Sequence, residues 1–355
     1  MNTKLPLVSI CIPAYNSEKT IGKTLDSIVN QSYKNVEIIV SDNHSTDNTE
    51  IVVRSYEKFG VKYFLNPKRP EELINTSSVV SNFNYVISLA KGEFIAIFHA
   101  DDIYDRTIID CQVRFLQDNK TVGSVFTSSY LIDEHDKILN TNSGVIPKDL
   151  NINKIIDFDT LLNSIILSDY HLMFPTLTIR SEALFSVGSF NPKESYLSDI
   201  EFYLRLARWK PIGLINEKLH YYRTDVTKEK DSFERKIEIT KDYIRFIEEY
   251  IELPEIYPHL EVTNINFYKM LLCSRKIFIA RHFFLKNKKH EARRLLKSFN
   301  YNYILLSINR KKGFQGMIMG IILVVSDKLG FAVLITKLID KLRHYRFLIW
   351  RKKLY

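Results

Sequence analysis

The chain has 355 residues, 45% of them hydrophobic and 12% aromatic, which is enough apolar material for a sizeable core and predicts two domains. Its three cysteines, Cys11, Cys111 and Cys273, are far apart and exclude a cysteine-based metal site, so they predict buried thiols in a reducing compartment. The first residues lead directly into a strand, and we expect no secretory signal.

The net charge of +9 is unevenly distributed along the chain. From Arg275 to the end there are 20 Lys and Arg against 3 Asp and Glu, whereas residues 1–274 carry a net charge of −8. This asymmetry predicts an acidic catalytic body and a basic tail that meets an anionic partner.

Strands and helices alternate in the first part of the chain. Apolar runs predict strands at 7–12, 36–40 and 61–65, and helical spacing predicts helices from Ile21 and over 49–59 between them. This alternation is typical of a doubly wound α/β sheet. The glycine-rich fingerprint of dinucleotide binding is absent after the first strand, so we expect a phosphate group to be held by metal and side chains.

A fourth apolar strand, Phe94–Phe98, runs into the adjacent carboxylates Asp101 and Asp102. Open α/β sheets bind ligands at this end of their strands, and neighbouring acids there favour a divalent cation. The alternative is that one of them caps a helix beginning near Ile103.

Asp42 occupies the equivalent place after the second strand. A carboxylate there can accept hydrogen bonds from a nucleobase or a ribose hydroxyl. The alternative is an Asx-turn in a loop rich in Asn, Ser and Asp.

Farther along, apolar runs predict a helix over 106–119 and strands at 122–127 and 171–180, with a polar acceptor-side insertion at 133–160. Ser198-Asp199-Ile200-Glu201 then fits a capping box at the start of a helix.

Four motifs occur in a fixed order: Pro13-Ala14-Tyr15-Asn16, the run Ser41–Thr49, Asn82-Phe83-Asn84 with Ala90–Ile95, and Asp101–Tyr104. Over residues 7–223 this order resembles family 2 glycosyltransferases. The resemblance implies a GT-A fold with a doubly wound mixed sheet, a nucleotide-sugar donor and Mn²⁺ or Mg²⁺ as cofactor.

The resemblance also implies roles for individual residues. Asp199 matches the family's catalytic base and Asp102 its metal ligand, while Asp42 would contact the base and Asp101 the ribose. The implied nucleotide-binding set is Pro13, Tyr15, Asn16, Asp42, Asn82 and Asp101.

Two departures from the family pattern stand out. His99 occupies a place that is often Asp in the family. Its alternative roles are a contact with the ribose or a metal and a purely structural role. Arg208-Trp209 is only half of the motif of processive members and lies too close to Asp199, so we expect helix packing there and transfer of a single sugar.

The C-terminal third changes character. Periodicity predicts a helical domain at 226–312 after a transferase domain at 1–225, and an amphipathic tail at 313–355 mixes basic and apolar residues. We expect this tail to bind the anionic inner face of the cell membrane from the cytoplasm. An integral hairpin and an oligomer-forming helix are the alternatives.

A membrane location together with the family resemblance implies a polyprenyl-linked or other saccharide acceptor, as in lipopolysaccharide or other surface polysaccharide synthesis. Two other functions remain open: a nucleotidyltransferase on the same scaffold, and a non-catalytic glycan, nucleotide-sugar or nucleic-acid binder. The basic, glycine-rich triphosphate loop that the first would need is missing after the first strand. Aliphatic residues among the tail aromatics favour lipid over nucleic acid, so we expect no nucleic-acid partner.

Overall fold

The computed structural model describes residues 5–73, 77–139, 154–167, 172–194, 196–224, 229–297 and 311–339. It divides into two compact units, Met1–Glu229 and Lys230–Tyr355. The two C-terminal segments expected from the sequence, 226–312 and 313–355, both fall almost entirely in the second unit, and the three-part division stays a prediction. The central part of the polar insertion and the last 16 residues of the tail lie outside the described residues.

One mixed sheet contains the strands described in the first unit. They are β1 Val8–Ala14, β2 Val36–Asp42, β3 Val61–Leu65, β4 Phe94–Ile97, β5 Ile103–Tyr104, β6 Ser124–Ile132, β7 Lys154–Ile156, β8 Leu177–Arg180 and β9 Ile212–Arg223. The strand order is β3-β2-β1-β4-β8-β6-β9-β5, and β7 pairs with β9. The mixed α/β sheet expected from the sequence is confirmed.

The first four strands form the parallel half of the sheet. β1 pairs in parallel with β2 and with β4, so that Cys11 lies opposite both Ile39 and Ile97. Residues of β1 and β4 are almost completely buried, as their apolar sequences require. Because the strands are parallel and in register, the segments after Ala14, Asp42 and Ile97 meet at one edge.

The described helices cover the sheet and build the second unit. They are α1 Ile21–Val29, α2 Thr49–Arg54, α3 Ser78–Ser88, α4 Ile108–Asp118, α5 Phe158–Leu167, α6 Glu182–Val187, α7 Ser198–Trp209, α8 Glu229–Ile251, α9 Val262–Leu285, α10 Lys289–Lys297 and α11 Lys311–Lys328. The helical C-terminal region predicted from periodicity is confirmed.

Three predicted elements differ clearly from the structure. The helix predicted over 49–59 is α2 followed by a separate 3₁₀ turn, Glu57–Phe59. No helix begins near Ile103: this residue starts the short strand β5, and Asp105 instead accepts a hydrogen bond from the Thr107 N–H (2.9 Å) before α4. The helix-cap interpretation of Asp101 and Asp102 is therefore wrong. The strand predicted at 171–180 is reduced to β8, because a 3₁₀ turn containing Pro175 precedes it.

A buried polar network fixes the amino end of the sheet. Glu37 accepts hydrogen bonds from Ser9 Oγ (2.6 Å), Lys91 N–H (2.8 Å) and Lys62 Nζ (3.0 Å). Burial alone would raise the pKa of Glu37, but these hydrogen bonds lower it below its ordinary value. Gly92 lies in the same network, and a Cβ there would meet Ser9 N and Phe94 O at 2.6 Å, so only glycine fits.

The second unit is a helical body with its own core. Ile277, Ala280 and Phe284 of α9 pack with Leu323 of α11. Within the described ranges, no helix combines the length and the apolarity that crossing a bilayer requires.

Candidate functional site

A cavity of about 230 Å³ opens at the edge where the parallel strands end. Its walls come from the end of β1, the loop after β2, helix α3 and the loop after β4. The lining residues are Pro13, Ala14, Tyr15, Ser17, Asn43, Val79, Asn82, Phe83, His99, Ala100 and Asp101. This is the place at which open α/β sheets bind their ligands.

The cavity wall includes four of the six residues expected to bind the nucleotide. They are Pro13, Tyr15, Asn82 and Asp101. Tyr15 is 55% exposed, and its ring offers a flat apolar surface beside the cavity. Asn16 and Asp42 do not line the cavity, and instead hold the loops that do.

Asp42 is 2% exposed, and both oxygens of its carboxylate accept hydrogen bonds. Oδ1 accepts hydrogen bonds from the backbone N–H of Ser45 (3.0 Å) and from its hydroxyl (2.5 Å), while Oδ2 accepts one from Tyr63 OH (2.9 Å). This geometry agrees with the Asx-turn alternative. Any contact between Asp42 and a base requires a lone pair left over from these bonds or a movement of the Ser45 loop.

Asn82 and Asn16 join the strand-end loops to each other. The buried side chain of Asn82 donates to Ser41 O (3.0 Å) and accepts from Ser41 Oγ (2.5 Å). Asn16 adopts a left-handed backbone conformation with φ 47°, and its Oδ1 accepts from Thr46 N–H (2.8 Å). Both asparagines therefore shape the cavity through backbone contacts.

His99, Asp101 and Asp102 form the one cluster of possible metal ligands found in the described part of the chain. One donor atom from each lies within 4.8 Å of the others. Nε2 of His99 is buried and makes no hydrogen bond among the described residues. Two carboxylates and an imidazole suit Mn²⁺, and Mg²⁺ would use the carboxylates.

Asp102 lies behind the cavity wall rather than on it. Its side chain is completely buried, with Oδ1 accepting from Arg223 N–H (2.8 Å) and Oδ2 3.0 Å from His220 Nε2. Nδ1 of His220, also completely buried, is 2.8 Å from Ser129 Oγ. A chain of buried polar groups therefore runs from Asp102 through His220 of β9 to Ser129, its partner on the neighbouring strand β6.

The backbone of the Asp101–Asp102 loop is held from two sides. The Thr24 hydroxyl contacts Asp102 O (2.7 Å) and Ala100 O (3.1 Å) from α1. From β9, Arg223 Nε donates to Asp101 O (2.8 Å). These bonds leave the Asp101 carboxylate as the outward-facing acid of the pair.

The electrostatics of the cluster favour a bound cation. Loss of solvation, and then the charge of Asp102, raise the pKa of Asp101. Burial lowers the pKa of His99, although Asp102 and Asp101 act in the opposite direction. A cation among the three would offset the repulsion between the carboxylates and use the neutral imidazole as a ligand.

Aromatic rings connect this cluster with helix α7. The ring of His99 lies 5.4 Å from that of Phe174, which lies 5.4 Å from Phe190, and Phe190 lies 4.3 Å from Phe202 of α7. Asn84 of α3 fixes the Phe190 backbone through two hydrogen bonds of 2.8 and 2.9 Å. The start of α7 is therefore tied to the wall of the cavity.

Asp199 stands in the first turn of α7. The residue is half-buried, but its carboxyl group lies among protein atoms, and this burial raises its pKa from 3.8 to about 6. The Ile200 N–H donates to Oδ1 at 2.8 Å and moderates the rise. A carboxylate with such a pKa can accept a proton near neutral pH.

The predicted capping box is wrong. The helix begins at Ser198 with no side-chain cap, and Glu201 pairs with Arg205 one turn later (2.6 Å). Arg205 also donates to the backbone oxygen of Ser189 (2.9 Å), so it packs α7 against the preceding loop.

Three residues beneath the site were missed from the sequence: His220, Arg223 and Thr24. His220 and Arg223 are separated from Asp102 by more than a hundred positions and meet it only because β9 crosses behind the strand-end loop. For His220 and Arg223, the sequence signal was limited to a His and an Arg near the end of one strand.

Residues 9–164 match the family model described as "Glycosyl transferase family 2". A curated relative is the Escherichia coli "UDP-Glc:alpha-D-GlcNAc-diphosphoundecaprenol beta-1,3-glucosyltransferase WfaP". It is 29% identical over 165 residues, which cover 46% of this chain and 61% of that protein. A second Escherichia coli relative, "UDP-Glc:alpha-D-GlcNAc-diphosphoundecaprenol beta-1,3-glucosyltransferase WfgD", is 29% identical over 154 residues. The chain spans less than two thirds of the length of both proteins, 61% of WfaP and 55% of WfgD.

Two solved structures resemble the whole fold. S. aureus TarS 1-349 in complex with UDP-GlcNAc has a TM-score of 0.56 at 17% identity, covering 89% of this chain and 88% of that one. The mannosyltransferase PcManGT from Pyrobaculum calidifontis, in complex with GDP-Man and Mn2+, has a TM-score of 0.53 at 18% identity, covering 96% and 89%. The resemblance to family 2 and the GT-A fold are confirmed.

Proposed function

We propose that this chain, whose residues 9–164 match the family model described as "Glycosyl transferase family 2", moves one sugar from a nucleotide-sugar to a hydroxyl group of a saccharide acceptor, with inversion at the anomeric carbon. The observation that carries the proposal is the cavity at the strand ends, which brings Tyr15, Asn82 and Asp101 together beside His99.

The cluster of His99, Asp101 and Asp102 fits Mn²⁺ or Mg²⁺. Asp101 and His99 offer donors on the cavity side, and Asp102 is the inner carboxylate. When bound, the cation would neutralise negative charge on the diphosphate of the departing nucleotide. The hydrogen bonds from Thr24 and Arg223 fix the backbone of the acidic loop, which helps to preorganise the site for the ion.

The nucleoside would lie along Pro13 and Tyr15, whose exposed ring can cover the base or ribose. Asn82 and Asn16 support this wall, and Asp42 lies beneath it. We propose that Asp42 contacts the base only through a lone pair left free by Tyr63 and Ser45.

Asp199 is the proposed general base. Its carboxylate would take the proton of the acceptor hydroxyl as that oxygen attacks the anomeric carbon, a contribution of about 10²–10⁴-fold. The pKa of about 6 supports this role, because the group is ionised at pH 7 yet basic enough to accept a proton. The assignment is supported by the chain of ring contacts from His99 through Phe174 and Phe190 to Phe202, which connects α7 with the cavity.

We propose a lipid-linked acceptor and a location at the inner membrane face. WfaP and WfgD carry names that specify a GlcNAc-diphosphoundecaprenol acceptor, which supports a polyprenyl-linked saccharide here. The basic C-terminal segment supports the location, since an anionic leaflet attracts Lys and Arg.

The test is a transfer assay with a panel of UDP- and GDP-sugars and a synthetic diphospholipid-linked GlcNAc. Mass spectrometry should find one added sugar, and NMR should find an anomeric configuration opposite to that of the donor. Asp199→Asn should abolish transfer, whereas the matched control Asp118→Asn, an exposed acid at the end of α4, should keep it. Transfer with retention of configuration, or full activity of Asp199→Asn, would contradict the proposal.

A further inference from the structure

The C-terminal end of the described chain is a helical hairpin. Helix α11 and the helical segment 332–339 meet at a turn in which Gly330 has φ +80°, a conformation that favours glycine. The inner side of the hairpin belongs to the core of the second unit, with Leu323 completely buried and Ala332 3% exposed. This packing gives the hairpin a defined outer side.

The outer side is apolar. Seven large side chains, called here the exposed apolar face, are between 40% and 65% exposed: Ile318, Ile322, Val325, Leu329, Phe331, Leu334 and Leu338. In α11 they recur every three or four residues, which places them in one stripe. A groove of about 460 Å³ lies between the two helical segments. Contiguous exposure of this kind marks a binding surface.

The one acid of the described hairpin is directed away from this face. Asp327 breaks the apolar run in the sequence, but it is only 17% exposed and pairs with Arg293 of α10 through contacts of 2.8 and 3.2 Å. Lys328 and Lys337 are exposed on the hairpin. The face is therefore apolar with a basic border.

The chain beyond the hairpin extends the same chemistry. Residues 340–355 contain six Lys and Arg against a single acid, Asp340, together with the apolar run Phe347–Trp350. Two copies of the chain pairing through the exposed apolar face would bring the exposed Lys328 and Lys337 of both copies together, and these charges would repel each other. An anionic leaflet attracts them, at about 1 kcal/mol for each basic side chain.

We infer that the exposed apolar face inserts into the headgroup and acyl boundary of an anionic bilayer leaflet, with both helical segments lying in the membrane plane. Amphipathic helices that lie in the interface bury their apolar face at this boundary and keep their basic residues near the headgroups. The inference extends the proposed membrane location and rests on it for the choice of partner. The inference differs from electrostatic binding by the basic tail, because it assigns the apolar part of the membrane contact to the side chains of the hairpin.

The test is sedimentation of the full chain with vesicles made of equal parts phosphatidylcholine and phosphatidylglycerol, with no sugar nucleotide present. Ile322→Glu combined with Leu334→Glu should weaken partitioning roughly a hundredfold, since each buried aliphatic side chain is worth at least about tenfold. The matched control is Phe185→Glu, which changes a 93% exposed apolar residue of the first unit and should leave partitioning unchanged.

A second measurement does not depend on the folding of the double variant. Phe331→Trp should become quenchable by lipids brominated on their acyl chains, beyond any quenching of the wild type. Absence of additional quenching, or unchanged sedimentation of the double variant, would overturn the inference. A wild-type dimer that the double variant dissociates, with vesicle binding retained, would instead assign the face to a contact between copies. Vesicle binding is measured without a sugar nucleotide, so a negative transfer assay would not change the interpretation of these results.

Discussion

The replacement Asp199→Asn should remove activity and increase stability at the same time. Asparagine keeps the oxygen that accepts the Ile200 N–H hydrogen bond, so the start of α7 should be preserved. The substitution removes a carboxylate whose charged form is destabilised by burial. The variant therefore separates the chemical role of Asp199 from its structural role.

The magnitude follows from the rise of the pKa from 3.8 to about 6. A folded-state pKa above the unfolded value means that the folded protein binds the proton more tightly, so ionisation costs stability as the pH rises. The cost is absent below about pH 4, grows between the two pKa values, and reaches about 3 kcal/mol above pH 6. Asp199→Asn should therefore raise the free energy of unfolding by up to that amount at pH 7.5.

The assay is differential scanning calorimetry at pH 7.5 and pH 4, alongside the transfer assay. For a unit of this size, the expected gain corresponds to a rise in Tm of roughly 6–12 °C at the higher pH and little at the lower. The control Asp118→Asn should shift Tm by little at either pH, because its side chain is exposed. Equal Tm values for wild type and Asp199→Asn at pH 7.5, or a gain that does not change with pH, would refute the reasoning from burial.

Three further predictions concern the site and its support. Asp101→Asn should lose Mn²⁺-dependent binding of the sugar nucleotide in a calorimetric titration; wild-type affinity for the cation would remove Asp101 from the metal site. Glu37→Gln should lower the free energy of unfolding by about 1–3 kcal/mol at pH 7 and by less near pH 4. The reason is that a carboxylate with a lowered pKa stabilises the fold only while it is ionised. Urea unfolding at the two pH values measures this difference, and an equal loss at both would contradict the prediction. Gly92→Ala should cost about 3 kcal/mol or more, since the new methyl group would meet the backbone atoms of Ser9 and Phe94; an unchanged urea midpoint would show that the strands can separate.

The sequence was most informative where local pattern and position in the sheet agree. The apolar strand before Asp101 had to be buried on both faces, and parallel pairing then placed the following acids at the ligand-binding edge. The burial of the strand and the position of the acids both depend on residues that are close together in the chain. Pro13 in β1 and Tyr15 directly after it lie at the same edge.

The rest depended on contacts between distant segments. Nothing near Asp102 indicates that His220 and the Arg223 backbone will bury it, because that contact requires β9 to return behind the loop. Glu201 has a suitable spacing for a capping box, but Arg205 lies one turn away on the same helix face and takes its carboxylate. Likewise, only the fold shows that Asp327 points toward α10.

The most direct measurement is thermal unfolding of the wild type with a panel of UDP- and GDP-sugars, each with Mn²⁺ and with a chelator. We predict that at least one sugar nucleotide raises Tm only when Mn²⁺ is present, by an amount that corresponds to about 2.7 kcal/mol at a hundredfold excess over its Kd, and that Asp101→Asn abolishes this rise. A panel in which no sugar nucleotide changes Tm, or in which the chelator makes no difference, would contradict a cation-dependent donor site at the strand ends.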